Sequence, residues 1–227
     1  MYKAIALEFP LRGEWLSPTT PAKRIPSHGT NKFGLRYAFD FLQVDWNRKG
    51  RPFYNTSVIK YLTLGVKLKV CYCWGENVYA PCDGEVVKIV DGIVERNTVF
   101  WLSDSFRALR NSLFFDHNKD GFSTLAGNYV IIKHSDNVYV ALAHLQNGSI
   151  AVSLNEKIKK GTLLGRVGHS GNSMMPHLHF QVMDRLDVAN AIGLSCVFEE
   201  YEAFRNNKWQ VVYNSIPSDT ERFRFLK

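Results

Sequence analysis

Residues 165–173 read GRVGHSGNS and residues 176–180 read PHLHF. The first stretch is rich in glycine and small polar residues, which favours a tight loop. The second stretch places two histidines in an apolar run, which is typical of a strand entering the core. Side chains two residues apart on a strand point to the same face, so His177 and His179 project together while Leu178 faces the core. Two adjacent imidazoles are suited to bind one metal ion, or to supply one ligand and one catalytic base.

Around this motif the chain alternates short apolar runs with turns. The turns are predicted at residues 81–84 and 134–137, where proline, glycine, aspartate and asparagine cluster. The predicted strands are residues 77–80, 84–90, 128–134 and 138–144. Their regular spacing predicts a mainly β fold, an antiparallel β-sandwich or barrel-like core with a glycine-rich loop.

Two segments depart from this strand pattern. Apolar residues at helical spacing predict a helical insertion over residues 103–115. Residues 116–121 resemble the start of a calcium-binding loop, but Gly127 stands where the closing glutamate is required, so we interpret them as a polar turn. Apolar runs and a hairpin-like segment at 206–208 predict C-terminal strands. We expect these strands to pack on the same core, which makes residues 1–227 a single domain.

The composition limits the classes of partner. Lys and Arg number 28 against 21 Asp and Glu, a formal net charge of +7, which suits a polyanionic partner or a basic solvated surface. Because no run of Lys and Arg typical of a nucleic-acid patch occurs, we expect no nucleic-acid partner. The apolar stretches are far shorter than the roughly 20 residues that cross a bilayer, so no transmembrane segment is expected. Residues 1–10 are too short and too charged for a signal-peptide core, which leaves the compartment unknown.

The four cysteines are too few to hold together a domain of this size through disulfides. Cys71 and Cys73 would share one strand face, but no second pair at zinc-finger spacing follows. We therefore predict buried free thiols at all four positions, Cys71, Cys73, Cys82 and Cys196.

Other residues with suitable chemistry lie outside the His-x-His motif. His144 ends a predicted strand at a turn, and Asp40 is an isolated charge inside the apolar run RYAFDF. A buried carboxylate is costly unless it is paired or bound to a metal. Asp40 could alternatively cap a turn or pair with Arg36. The remaining histidines downstream of Asp40 have no assigned chemistry, and surface or turn roles are expected for them: His117, His134 and His169.

Several of these segments together resemble a known family. Residues 77–87 (NVYAPCDGEVV), 143–145 (AHL), 160–165 (KGTLLG) and 171–180 (GNSMMPHLHF) are similar, in the same order, to motifs of the lysostaphin-type zinc metallopeptidases. The resemblance covers roughly residues 37–184. It implies the duplicated hybrid motif fold and a peptidase core of about residues 37–184, with N- and C-terminal extensions packed on it.

The resemblance also implies roles for individual residues. Asp40 and His179 correspond to zinc ligands, and His144 and His177 to catalytic histidines that handle protons or stabilise the tetrahedral intermediate. A third ligand, a histidine, normally lies four residues before the aspartate, where this chain has Arg36. His28 is the nearest upstream histidine, and we predict that it completes the Zn²⁺ site. The alternative is that His28 is a surface-loop residue.

The implied function is zinc-dependent hydrolysis of peptidoglycan cross-link peptides, at Gly-Gly or D-Ala-linked bonds, through a metal-activated water. Such a wall substrate would require an extracytoplasmic location. One alternative is a catalytically inactive relative that binds or activates a cell-wall hydrolase. Another is a biotinyl- or lipoyl-like carrier, since residues 158–165 are similar to those hairpin domains. The retained histidines favour the peptidase.

Overall fold

The computed structural model describes residues 4–114 and 122–226, with the backbone alone at 108–114. The described residues form fifteen strands and three α-helices. The first eight strands are β1 (Ile5–Leu7), β2 (Glu14–Thr19), β3 (Phe39–Leu42), β4 (Val66–Lys67), β5 (Asn77–Tyr79), β6 (Gly84–Val90), β7 (Thr98–Val99) and β8 (Asn128–Ser135). The other seven are β9 (Val138–Leu145), β10 (Lys157–Ile158), β11 (Leu163–Arg166), β12 (Leu178–Met183), β13 (Cys196–Arg205), β14 (Lys208–Ser215) and β15 (Arg222–Arg224). The helices are α1 (Val58–Leu64), α2 (Trp101–Phe114) and α3 (Phe122–Ala126), with 3₁₀ turns at Lys32–Tyr37, Leu68–Val70 and Val188–Asn190.

One large sheet of eleven strands carries most of the fold. Its order is β1-β13-β15-β2-β3-β12-β9-β8-β6-β10, with β14 added beside β13. Two further pairs, β5 with β11 and β4 with β7, lie apart from it. The prediction of a mainly β fold with antiparallel strands is confirmed, and among the described strands the departure is β1, which pairs with β13 in parallel.

Strand β12 is the centre of the sheet around the site, because it pairs with β3 on one side and β9 on the other. Its sequence LHFQVM alternates as the sequence analysis predicts. Leu178, Phe180 and Val182 enter the main hydrophobic core, while the other face carries His179 and Gln181. Full burial of an apolar side chain such as these stabilises a fold by roughly 1.5–3 kcal/mol. Packing on one face of β12 therefore fixes the direction of the polar side chains on the other.

The predicted elements are present with small shifts at their ends. All four predicted strands occur, as β5, β6, β8 and β9, each within one residue of its predicted bounds. The helical insertion is α2, which begins two residues earlier than predicted. Asn206 and Asn207 both have positive φ and join β13 to β14 in a tight hairpin, the geometry that such turn residues favour. The predicted polar turn at 116–121, with His117, lies outside the described residues.

The terminal strands pack on the same core as the central strands. The ring of Phe9 contacts Phe41 of β3, Phe198 of β13 and Phe223 of β15 at centroid distances of 5.1–5.4 Å. All four cysteines are buried free thiols, as predicted. No helix in the described part of the chain is long and apolar enough to cross a membrane. The organisation of residues 1–227 as one domain stays a prediction.

Candidate metal centre

Three predicted ligands meet where β3 lies beside β12. Asp40 and His179 are direct partners in the antiparallel register of these strands. His179 Nδ1 lies 3.0 Å from Asp40 Oδ1, and His28 Nε2 lies 3.2 Å from the same oxygen. One ligand atom from each residue can be chosen so that all lie within 4.8 Å of one another. The structure thus brings together the three residues that the sequence analysis assigned to the metal.

The geometry of this cluster fits a zinc ion. Zinc bonds of about 2.0–2.1 Å in a tetrahedron place neighbouring ligand atoms about 3.3–3.4 Å apart, close to the separations of Asp40 from the two imidazoles. Two neutral imidazoles and a carboxylate are borderline ligands that zinc accepts, and three protein ligands leave a fourth position for water or substrate. His28, Asp40 and His179 are the residues that would hold the ion.

The loop before β3 delivers His28 to this position. Ser27 fixes the loop through two backbone carbonyls, with its N–H donating to Arg36 O at 3.0 Å and its hydroxyl to Leu35 O at 3.2 Å. Arg36 turns away from Asp40, since its guanidinium donates to Asn31 Oδ1 at 2.6 Å and to the Tyr37 hydroxyl at 3.0 Å. The alternative of an ion pair between Asp40 and Arg36 is therefore wrong.

His144 and His177 stand beside the cluster, with ring centroids 4.6 Å apart. His144 Nδ1 lies 2.9 Å from Ser170 O, and His177 Nδ1 lies 2.8 Å from Met175 O. A backbone carbonyl only accepts hydrogen bonds, so in each ring Nδ1 carries the proton. The Nε2 atoms are then the nitrogens available for chemistry, and His177 Nε2 lies 3.5 Å from Asp40 Oδ1. His144 also has a positive φ of 61°, a strained backbone of the kind that functional sites retain.

Burial and neighbouring charges shift the pKa values of His144, His177 and Asp40 in different directions. Burial lowers the pKa of His144 well below its ordinary value, and the neighbouring His177 and His179 lower it further. Burial also opposes the charge of His177, but the carboxylate of Asp40 outweighs it and raises the pKa of His177. The pKa of Asp40 is raised by burial and lowered more strongly by His28 and His177, so that it lies well below its ordinary value. The two neighbouring imidazoles therefore differ, with the pKa of His144 lowered and the pKa of His177 raised.

A buried polar network under the glycine-rich loop escaped the sequence analysis. Arg96 donates to the carbonyls of Gly171 and Ser173 and to His169 Nε2, and its Nε forms an ion pair with the buried Asp104 at 3.1 Å. His169 Nδ1 in turn lies 3.1 Å from Ser173 Oγ. A surface role for His169 is therefore wrong, because its side chain is fully buried. Arg96 and Asp104 lie in segments without a motif, so spacing alone could not reveal them.

Of the other unassigned histidines, His117 lies outside the described residues. His134 is exposed at the end of β8, where its ring lies 2.8 Å from Asp83 O, which agrees with the predicted surface role. Gln181 was also missed, although a polar residue at an inward position of β12 is a signal that strand alternation could have revealed.

The cluster lies in a cleft of about 430 Å³. Among the described residues that line it, Asp40 and the histidines are the charged or titratable ones, and the others include Pro18, Leu35, Leu42, Leu125 and Met174. The cleft therefore offers a polar floor with a largely apolar wall.

Comparison with known proteins gives a match to one peptidase family. Residues 114–191 match the family model described as Peptidase family M23. The match contains His144, His177 and His179, whereas His28 and Asp40 lie outside it. The resemblance to the lysostaphin-type peptidases predicted from the sequence is confirmed.

Individual relatives match over short segments. The chain is 34% identical over 65 residues to the peptidoglycan DD-endopeptidase ShyC of Vibrio cholerae, a segment that covers 29% of this chain and 14% of that protein. A crystal structure of a zinc-containing peptidase from Vibrio cholerae aligns at 19% identity with a TM-score of 0.40, covering 84% of this chain and 39% of the other. The catalytic domain of lysostaphin from Staphylococcus simulans aligns at 18% identity with a TM-score of 0.34, covering 63% and 85%. The match thus spans only a small part of the curated relative.

Proposed function

We propose that the chain is a zinc-dependent endopeptidase that hydrolyses peptidoglycan cross-link peptides. One observation carries the proposal: His28, Asp40 and His179 converge in a cleft where His144 and His177 stand next to them. Zinc bound by the first three residues would act as a Lewis acid toward the scissile carbonyl and as the activator of the attacking water. The match to Peptidase family M23 supports the same class of reaction.

His144 would accept a proton during the reaction, and His177 would donate one. His144 is held neutral by burial, with Nδ1–H bound to Ser170 O, so its Nε2 is the atom that accepts a proton from the attacking water. The carboxylate of Asp40 raises the pKa of His177, whose Nε2 lies 3.5 Å from Asp40 Oδ1, so His177 is better suited than His144 to donate a proton to the oxyanion that develops on the scissile carbonyl. Positioned proton transfer of this kind contributes about 10²–10⁴-fold to the rate.

The cleft supports a small, uncharged substrate at the scissile bond. The described residues that line it are mostly apolar outside the metal cluster and its histidines, which suits Gly-Gly or D-Ala-linked bonds. The name of ShyC, a peptidoglycan DD-endopeptidase, points to the same substrate class. A wall substrate would place the protein's action outside the cytoplasm.

The two alternatives differ from this proposal in what they require. A carrier needs a free lysine at a hairpin tip, but Lys159 pairs with Asp83 at 2.9 Å and Lys160 with Glu199 at 2.7 Å. A catalytically inactive relative needs no complete site, whereas this chain brings three ligand residues and two further histidines together. The peptidase accounts for all five.

The proposed function is tested by measuring the zinc content of the purified protein and its digestion of peptidoglycan. We expect about one zinc per chain and release of soluble peptides from purified peptidoglycan. The variant Asp40→Ala is the control, and it should lose both. Wild-type protein that takes up no zinc at neutral pH would contradict the proposal, and zinc uptake without peptide release would favour the inactive relative.

A further inference from the structure

Gln181 is a fully buried polar residue that follows His179 by two positions on β12. Its side-chain Nε2 donates to Phe33 O at 2.9 Å and lies 3.4 Å from Met183 Sδ. Its Oε1 lies 2.9 Å from His179 Nε2. Both polar atoms of the amide therefore have hydrogen-bond partners, and the partner of Oε1 is the predicted zinc ligand His179.

These contacts determine which ring nitrogen of His179 carries the proton. The carbonyl of Phe33 only accepts, so it must face the NH₂ group of Gln181. The amide oxygen of Gln181 then faces His179, and because this oxygen also only accepts, His179 Nε2 must be the protonated nitrogen. The lone pair of the neutral ring is then on Nδ1, which lies 3.0 Å from Asp40 Oδ1. Both atoms are acceptors, so this arrangement requires a cation shared between them, as in the proposed zinc site.

We propose that Gln181 is a positioning residue that holds His179 in the Nε2–H tautomer and so presents Nδ1 to the metal. This inference rests on the proposed zinc site and adds to it the residue that orients one ligand. A hydrogen-bond partner on the far nitrogen of a metal-binding histidine fixes both the ring orientation and the tautomer, and its loss typically costs 10–100-fold in metal affinity.

The backbone that anchors Gln181 has a defined shape. Phe33 and Gly34 have φ angles of 58° and 74°, an uncommon left-handed pair that interrupts the 3₁₀ turn Lys32–Tyr37. A Cβ atom at Gly34 would lie 2.8 Å from Gln181 Nε2 and 3.1 Å from Met183 Cβ, so only glycine allows this close approach. Gly34 N–H also donates to Ala191 O at 3.0 Å. The Phe33 carbonyl is thus held by the same loop that lies between His28 and Asp40.

Three variants separate orientation of the ligand from general packing. Gln181→Leu removes the acceptor, and we expect its dissociation constant for zinc, measured by competition with a chromophoric chelator, to rise about 10–100-fold. Gln181→Glu keeps an acceptor for His179 Nε2–H but loses the donor to Phe33 O, so its zinc affinity should lie between those of the wild type and Gln181→Leu. Met183→Leu is the matched control, because it alters the neighbouring buried side chain and leaves the contacts to His179 and Phe33 in place. Equal zinc affinity in wild type and Gln181→Leu would overturn the proposal.

A second measurement uses the wild type alone. Long-range ¹H–¹⁵N correlation spectra of the zinc-loaded protein at about pH 8, where an ordinary histidine is neutral, identify the protonated ring nitrogen of His179. We expect a proton on Nε2 and none on Nδ1, because the amide oxygen of Gln181 accepts from Nε2 and zinc occupies Nδ1. A proton on Nδ1 with zinc on Nε2 would overturn the positioning role. A wild type that binds no zinc would instead overturn the proposed function, so the two failures are distinguishable.

Discussion

Asp40 is the residue around which the site is organised, because its one carboxylate faces three imidazoles. His28, His177 and His179 each place a ring nitrogen within 3.5 Å of it. A carboxylate half-buried in this way needs positive charge or hydrogen-bond donors as compensation. The same need explains why a single charged residue inside an apolar strand is a candidate for pairing or for metal binding.

The His28 side chain is expected to contribute one of three bonds to zinc. His28→Ala would leave Asp40 and His179 as the only predicted protein ligands, fewer than the three typical of catalytic zinc sites. Zinc affinity should therefore fall by orders of magnitude when measured by chelator competition. His134→Ala is the matched control, since that histidine is exposed and far from the cluster in the register of the sheet. An unchanged affinity in His28→Ala would show that the loop has another role.

His144 and His177 are expected to act without binding the metal. The candidate ligand cluster consists of His28, Asp40 and His179 and does not include these two residues. His144→Ala and His177→Ala should therefore abolish peptide release while about one zinc per chain remains. Parallel measurements of zinc content and peptide release check this. If His177→Ala lost zinc as fully as His179→Ala, His177 would also be a zinc ligand. The assignment of His177 as catalytic and of His179 as the ligand would then be wrong.

At the scale of elements, the glycine-rich loop is supported from below by charged and polar side chains. Arg96 binds two carbonyls of this loop, and His169 connects Arg96 to Ser173. Ser173 Oγ lies 3.2 Å from His177 Nδ1. The loop that leads into β12 thus has a fixed path, which positions His177 ahead of the strand.

Because His169 is buried beneath the glycine-rich loop, the stability of the folded protein should depend on pH. Burial, together with the charge of Arg96, lowers the pKa of His169 to about 3, against about 6.5 in an unfolded chain. Below about pH 6.5 the unfolded state binds a proton that the folded state does not, so stability falls as the pH decreases toward 3. Between about pH 7.5 and 5, the loss in unfolding free energy due to His169 should be about 2 kcal/mol.

The matched variant is His169→Gln, which does not titrate but retains a donor and an acceptor. Denaturant unfolding of both proteins in chelator, at the two pH values, isolates the contribution of His169 from that of zinc and of other groups. We expect the wild type to lose about 2 kcal/mol more than the variant. Equal losses would show that His169 becomes protonated in the folded state near its ordinary pKa.

At the scale of the whole molecule, the predicted metal site joins segments that are distant in sequence. His28 belongs to a loop near the N-terminus, Asp40 to β3 and His179 to β12. His179 follows Asp40 by 139 residues in the sequence. A ligand that binds the folded state alone stabilises it by mass action, by about 2.7 kcal/mol at a concentration 100-fold above its dissociation constant.

Zinc should therefore raise the thermal unfolding midpoint of the entire chain. For a protein of this size, 2.7 kcal/mol corresponds to a shift of about 5–11 °C. Calorimetry with zinc and with chelator measures the shift, and Asp40→Ala, which lacks the central ligand, should show little of it. A wild-type midpoint that does not respond to zinc would contradict a site shared by these three segments.

Local sequence determined the secondary structure and the core of the site. Alternation in PHLHF directs His177 and His179 to one face because a strand repeats every two residues, whatever surrounds it. Paired asparagines produced the hairpin at 206–207, since few other residues accept positive φ. Ordered motifs predicted the resemblance to the lysostaphin-type peptidases, which the family match at residues 114–191 confirms. The parallel pairing of β1 with β13 was not predictable from the sequence. It joins residues about 190 positions apart, and no hairpin turn connects the two strands directly.

Only the tertiary structure decided which polar groups are partners. His28 reaches Asp40 because Ser27 ties its loop to the backbone at Leu35 and Arg36, and no spacing rule describes a loop of this length. The tautomer of His179 follows from the carbonyl of Phe33, which contacts Gln181 148 residues away in sequence. Hydrogen bonds depend on distances between atoms from separate segments, whereas periodicity reports only the direction of a side chain within its own segment.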